Sequence, residues 1–106
     1  MSYTPIELDK VRNLKYEYED LSLAEETLDM SINEILNKAQ RGKMRIKEIF
    51  TLLWAGLVHE DNQLTVKKLM QIVKEYSDID SVSFKIGEAL AKSFGSREDD
   101  KNEKNE

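Results

Sequence analysis

A chain of 106 residues and 12.3 kDa is enough for one small domain. It is 40% hydrophobic and 35% charged, and 16 basic against 21 acidic residues give a net charge of −5, so no overall basic field attracts phosphates and nucleic acid is not an expected partner. With no Cys and a single His, His59, the sequence has no disulfide framework, no thiolate and no His-based metal site or imidazole pair, which removes most enzyme classes. The longest apolar run, Leu52 to Val58 around Gly56, falls far short of the ~18–20 residues that span a bilayer. The opening Met1-Ser2-Tyr3-Thr4-Pro5 does not read as a signal peptide, so no membrane partner and a cytosolic address are expected.

Ile6-Glu7-Leu8 and Val11 to Tyr18 alternate apolar and polar residues as half-buried strands do, with Leu14, Tyr16 and Tyr18 on one face. Asp9-Lys10 would turn this hairpin, although two-residue turns favour Gly or Asn. Ser22 to Glu25 and Ser31 to Glu34 both fit a capping box, in which the Ser oxygen takes an orphan N–H and the Glu reaches back. They mark a first helix from about Asp20 or Ser22 to Asp29, burying Leu21, Ala24 and Leu28. A second, Ser31 to Gln40, has Ile32, Ile35, Leu36 and Ala39 on one stripe. Gly42 supplies the left-handed residue after it.

The third helix, Lys43 to His59, carries Ile46, Ile49, Phe50, Leu53 and Leu57 on one side, and Leu52, Trp54 and Val58 make its second half apolar nearly all round. Such a helix belongs at the centre of a bundle. After a polar loop at 59–63, Thr65 caps a fourth helix with Val66, Leu69, Met70 and Val73, running to Tyr76. A fifth, from about Asp80 to Phe94, buries Val82, Ile86, Ala89 and Leu90. Gly87 within it points to a close backbone approach, and Gly95 ends it. Residues 96–106 contain no apolar side chain, and ordering each would cost about 1–2 kcal/mol with no burial to offset it. The expected architecture is therefore mainly α: a domain over 1–95, made of an N-terminal β-hairpin and about five short helices, with a disordered charged tail over 96–106.

Asp78 to Ser81 and Glu60 to Asn62 resemble fragments of a calcium loop but lack its central Gly and closing Glu, so capping is the better reading. His59 stands at a helix C-terminus, where its charge suits the dipole. A helix-turn-helix over 65–94 would have only Lys85 and Lys92 on its second helix. No catalytic, cofactor-binding or metal-binding residue is identified. The functional candidates are Phe50, Trp54, Leu57 and Val58, since a small domain cannot easily cover every face of one helix, and an uncovered apolar strip marks an interaction surface.

The order of these elements, the segment Ile49 to Asp61 with its Ala55-Gly56-Leu57 and short acidic loop, the restart at Leu64-Thr65 and the Ser31-Ile32 helix start resemble the tail assembly chaperones of long-tailed bacteriophages and gene transfer agents. The resemblance covers about residues 4 to 94 and departs at Asp9-Lys10, where Gly would be expected. It implies a non-enzymatic, cofactor-free phage or prophage protein of the host cytoplasm. Such a chaperone coats the tape-measure protein, helps recruit the major tail protein and is absent from the mature virion. Self-association and a longer frameshifted form are open on the same reading. The alternative is a small acidic regulatory protein that binds nucleic acid or a polymerase.

Overall fold

The computed structural model describes residues 3–105, with side chains over residues 3–94. The fold is mainly α: five helices follow an N-terminal antiparallel hairpin. Strands β1 (Thr4–Glu7) and β2 (Val11–Leu14) pair with Thr4 opposite Leu14 and Ile6 opposite Arg12. The turn between them needs no glycine because Arg12 fastens it. Its guanidinium donates from Nε and Nη2 to the two Asp9 oxygens, both at 2.9 Å, and Leu8 N donates to Lys10 O at 3.0 Å. A planar fork meeting both oxygens of one carboxylate does here what a left-handed backbone does elsewhere.

The strand alternation read through Tyr18 stops at Leu14. Lys15 N leaves the ladder and donates to Gly56 O at 3.0 Å, while Tyr16 turns into the core with its hydroxyl donating to Leu52 O at 2.6 Å. Burial, and then the charge of Asp20, push the Tyr16 phenol well above its ordinary pKa. Tyr18 does not share a face with Leu14 and Tyr16, because it already belongs to α1 (Tyr18–Leu28) and is 74% exposed.

α1 starts earlier than its Ser22 signal because Glu17 and Asp20 cap it: Glu17 N donates to Asp20 Oδ2 at 2.9 Å, and buried Asp20 also pairs with Lys15 at 3.1 Å. Ser22 is an exposed mid-helix residue, and Glu25, its expected capping partner, reaches forward to accept from Ile32 N at 2.7 Å. α2 (Ile32–Gln40) has the expected Ser31–Glu34 box, and Gly42 adopts φ +65° after it. α3 (Ile46–Leu57) begins three residues after Lys43, where Arg45 N donates to Glu48 Oε1 at 2.9 Å. Thr65 caps α4 (Val66–Tyr76) by accepting from Lys68 N at 3.0 Å. Asp78, on the loop where capping was preferred to calcium binding, does cap α5 (Ile79–Asn105), accepting from Ser81 N at 2.8 Å and Ser81 Oγ at 3.1 Å. The bounds of α5 run beyond Gly95, where the pattern put its end. The disorder expected of 96–106 falls outside the residues whose side chains are described.

α3 is the hub, packed against β2, α1, α4 and α5. From Phe50 to Leu57 only Trp54 is not fully buried, so the chain does cover nearly every face of this helix. Gly56 is what allows the hairpin exit so close. A Cβ there would stand 2.8 Å from Tyr16 Cζ and 2.9 Å from Leu14 Cδ2. The close approach assigned to Gly87 is found at Gly56 instead, since a Cβ on Gly87 meets nothing within 4 Å. Lys38 reaches Glu48 at 2.9 Å and ties α2 to α3. Burial alone would raise the Glu48 carboxyl, but the Arg45 N–H and Lys38 hold it below its ordinary value.

Candidate partner-binding surface

The four residues singled out from sequence do not form one exposed strip. Phe50 and Leu57 are in the core at 5% and 0% exposure, within a helix that the hairpin exit and three other helices enclose. Trp54 is half-buried and packs on that core, and its Nε1 donates to Leu64 O at 3.1 Å, which fixes the α3–α4 loop. Val58 is half-buried at the C-cap of α3. Of the four, only Trp54 and Val58 present any surface.

His59, Glu60 and Asp61 each grip the hairpin. His59 Nε2 donates to Asn13 O at 2.9 Å, and its ring stacks on Tyr3 with centroids 5.8 Å apart. Glu60 Oε1 accepts from Asn13 N at 2.9 Å, so two side chains occupy the backbone groups on the outer edge of β2. Asp61 Oδ2 accepts from Arg12 at 3.3 Å. Its carboxyl lies below the ordinary value, first through the Gln63 N–H and also through Arg12. An unpaired strand edge invites another chain, and this acidic loop closes one. The loop therefore has a structural task, and His59 acts on the hairpin beyond the dipole role read from sequence.

Uncovered apolar surface lies elsewhere. Two adjoining depressions of about 390 and 300 Å³ run along α5, the first facing the end of α2, the 42–44 loop and α3 and the second facing α2, with Ala39 and Gly87 common to both; we call them together the α2–α5 groove. The first also takes in the 43–46 segment, where Ile46 is 61% exposed, and the second continues to Leu36 and Phe94. From Ile79 to Phe94 the α5 wall spans ~22 Å at 1.5 Å per residue. Asp80 is the one acidic residue among those lining the two depressions. A wider depression of about 800 Å³ between the hairpin and α5 is lined by Pro5, Val11 and Phe84, but Glu7, Asp80 and Lys85 give it charges of both signs. We take the α2–α5 groove as the candidate surface because its two depressions join into one channel along α5 with a single charged lining residue, Asp80, against three in the hairpin depression.

One sequence signal, not used above, could have pointed to it. Ser83, Gly87 and Ala91 recur every four residues on α5, off the stripe of Val82, Ile86, Ala89 and Leu90 that enters the core. Such a face leaves room for a neighbour. Among the described residues, no group of three or more His, Cys, Asp or Glu side chains is placed to hold a metal, and no helix is long and apolar enough to cross a membrane. No family model, no curated protein and no solved structure matches this chain.

Proposed function

We propose that the chain is a phage tail assembly chaperone that binds the tape-measure protein and assists tail-tube assembly in the host cytoplasm, without catalysis and without entering the virion. The observation that carries this reading is the α2–α5 groove, a mainly apolar channel four helical turns long with exposed Ile46 at one end and nothing over Gly87. A groove of that shape suits an amphipathic helix, which lays its apolar face between two others and keeps its own backbone bonded. The resemblance of the 49–65 segment to tail chaperones supplies the identity of the partner, a long helical protein that needs its apolar faces covered before assembly.

Co-expression is the test. A tape-measure fragment from the neighbouring gene stays soluble with this chain and co-purifies with it, and precipitates alone. If the fragment is equally insoluble in both cases, and the chain instead retards duplex DNA in a salt-sensitive manner, the regulatory reading replaces the chaperone one.

A further inference from the structure

The −5 net charge conceals a local reversal. Lys38, Arg41, Lys43, Arg45 and Lys47 follow one another with no acidic residue among them. Lys38 is taken by Glu48, which the charge of Arg45 also reaches, whereas Arg41, Lys43 and Lys47 are exposed and make no ion pair among the described residues. The same stretch forms one side of the groove: Gln40, Gly42, Met44 and Ile46 line it, and Arg41, Lys43, Arg45 and Lys47 are each adjacent in sequence to a lining residue. None of the four is itself a lining residue; they alternate along the chain with residues that are, ~3.8 Å from Cα to Cα, and so border the groove within the Debye length of about 8 Å at physiological salt.

We propose that the groove receives an acidic amphipathic helix, its apolar stripe seated over Gly87 and its Asp or Glu side chains set against Arg41, Lys43, Arg45 and Lys47. This rests on the chaperone reading only for the partner's identity; the chemistry follows from the groove. The occupant is helical because α5, the wall that runs the full length, has its backbone groups bonded within the helix, and the facing side is helical except at 41–45, leaving an extended peptide little ladder to join. It approaches closely because Gly87 has no side chain and nothing stands within 4 Å of where one would begin. It is acidic where it meets the 41–47 segment, and lone Asp80 marks the opposite wall, so the field also sets which way round the helix lies.

The probes are two synthetic helical peptides of ~18 residues, a length that matches the groove, with the same Leu/Ala stripe flanked by Glu in one and Lys in the other. Binding to the full chain is read by fluorescence anisotropy at low and moderate salt. The Glu-flanked peptide binds about tenfold tighter than the Lys-flanked one at low salt, and the gap narrows as salt rises. The triple variant Arg41→Glu/Lys43→Glu/Lys47→Glu reverses the preference, and its gain of the Lys-flanked peptide shows that it is folded. Gly87→Leu fills the floor and weakens the Glu-flanked peptide at least tenfold with the helical spectrum unchanged. Equal affinity for the two peptides, a preference that survives the charge reversal, or displacement of the bound peptide by duplex DNA each overturns the proposal. The two readings fail separately. Peptide binding without tape-measure binding sinks the chaperone reading alone, whereas a tape-measure fragment held soluble by both variants sinks the acidic-helix groove alone.

Discussion

Two glycines on helices respond to the same substitution with opposite signs. Gly56→Ala places a methyl 2.8 Å from Tyr16 Cζ and 2.9 Å from both Tyr16 Oη and Leu14 Cδ2. These atoms are side-chain ends, but they cannot swing away. The Tyr16 hydroxyl is held at 2.6 Å by Leu52 O in the core, Ser93 Oγ donates to Tyr16 O at 3.0 Å, and Leu14 is fully buried. Overpacking costs about 1–3 kcal/mol, and a displaced buried hydroxyl about 1–3 more, against about 1 kcal/mol gained from helix propensity. The net loss is about 3 kcal/mol, or about 12–24 °C in the thermal midpoint of a domain this size. Gly87→Ala meets no atom within 4 Å and is exposed, so only the propensity remains and stability rises by about 0.5–1 kcal/mol. Urea unfolding followed by circular dichroism measures both. The double variant Gly56→Ala/Tyr16→Phe recovers about 1 kcal/mol relative to additivity, because the hydroxyl is one of the crowded atoms. A Gly56→Ala protein as stable as the parent would refute this packing of the hairpin exit on α3.

Arg12→Ala costs about 2 kcal/mol, since it releases the turn and the contact to Asp61, and Arg12→Lys rescues little because an ammonium cannot fork Asp9. Arg12 holds the Asp9 carboxyl below its ordinary value, so this stabilisation is present above the usual carboxylate range and is lost as pH falls through the lowered value. The Arg12→Ala deficit, from urea titrations at several pH values, therefore shrinks below about pH 4. Trp54→Ala loses about 3 kcal/mol and Trp54→Phe about 1, because the indole both packs on the core and donates to Leu64 O; a folded, equally stable Trp54→Ala protein would place the side chain outside the scaffold. Ser31→Ala costs about 1 kcal/mol in thermal unfolding and Ser22→Ala essentially nothing, as only Ser31 caps a helix.

The elements that sequence alone made legible are those whose signals are local. The helical stripes of α2 and α4, the Ser31 and Thr65 caps and the central place of α3 all follow from spacing within a few residues. What was missed depended on which of several possible partners a side chain takes, and for the glycines on what packs against them. The alternation from Val11 to Tyr18 is a valid strand pattern, but Glu17 and Asp20 start a helix inside it, helped by Lys15. Ser22 to Glu25 has the capping spacing, yet Glu25 serves the next helix. The hairpin turn was doubtful without Gly because the Arg12–Asp9 fork leaves no turn signature. Gly56 and Gly87 exchanged roles for the same reason: a glycine among Ala55, Leu57 and the rest of an all-round apolar helix is enclosed, whereas one beside the core stripe is not. Phe50 and Leu57, offered as partner contacts, lie in the core, and the groove proposed in their place lies along α5.

The central claim, that a helical partner lies between α2 and α5, is tested most directly by amide hydrogen exchange on the full chain, free and co-purified with a tape-measure fragment. A helix seated in the groove protects residues 36–49 and 83–94, with Gly87 and Ile46 among them. Protection confined to Pro5, Val11 and Phe84 at the hairpin, or to the 59–61 loop, contradicts it.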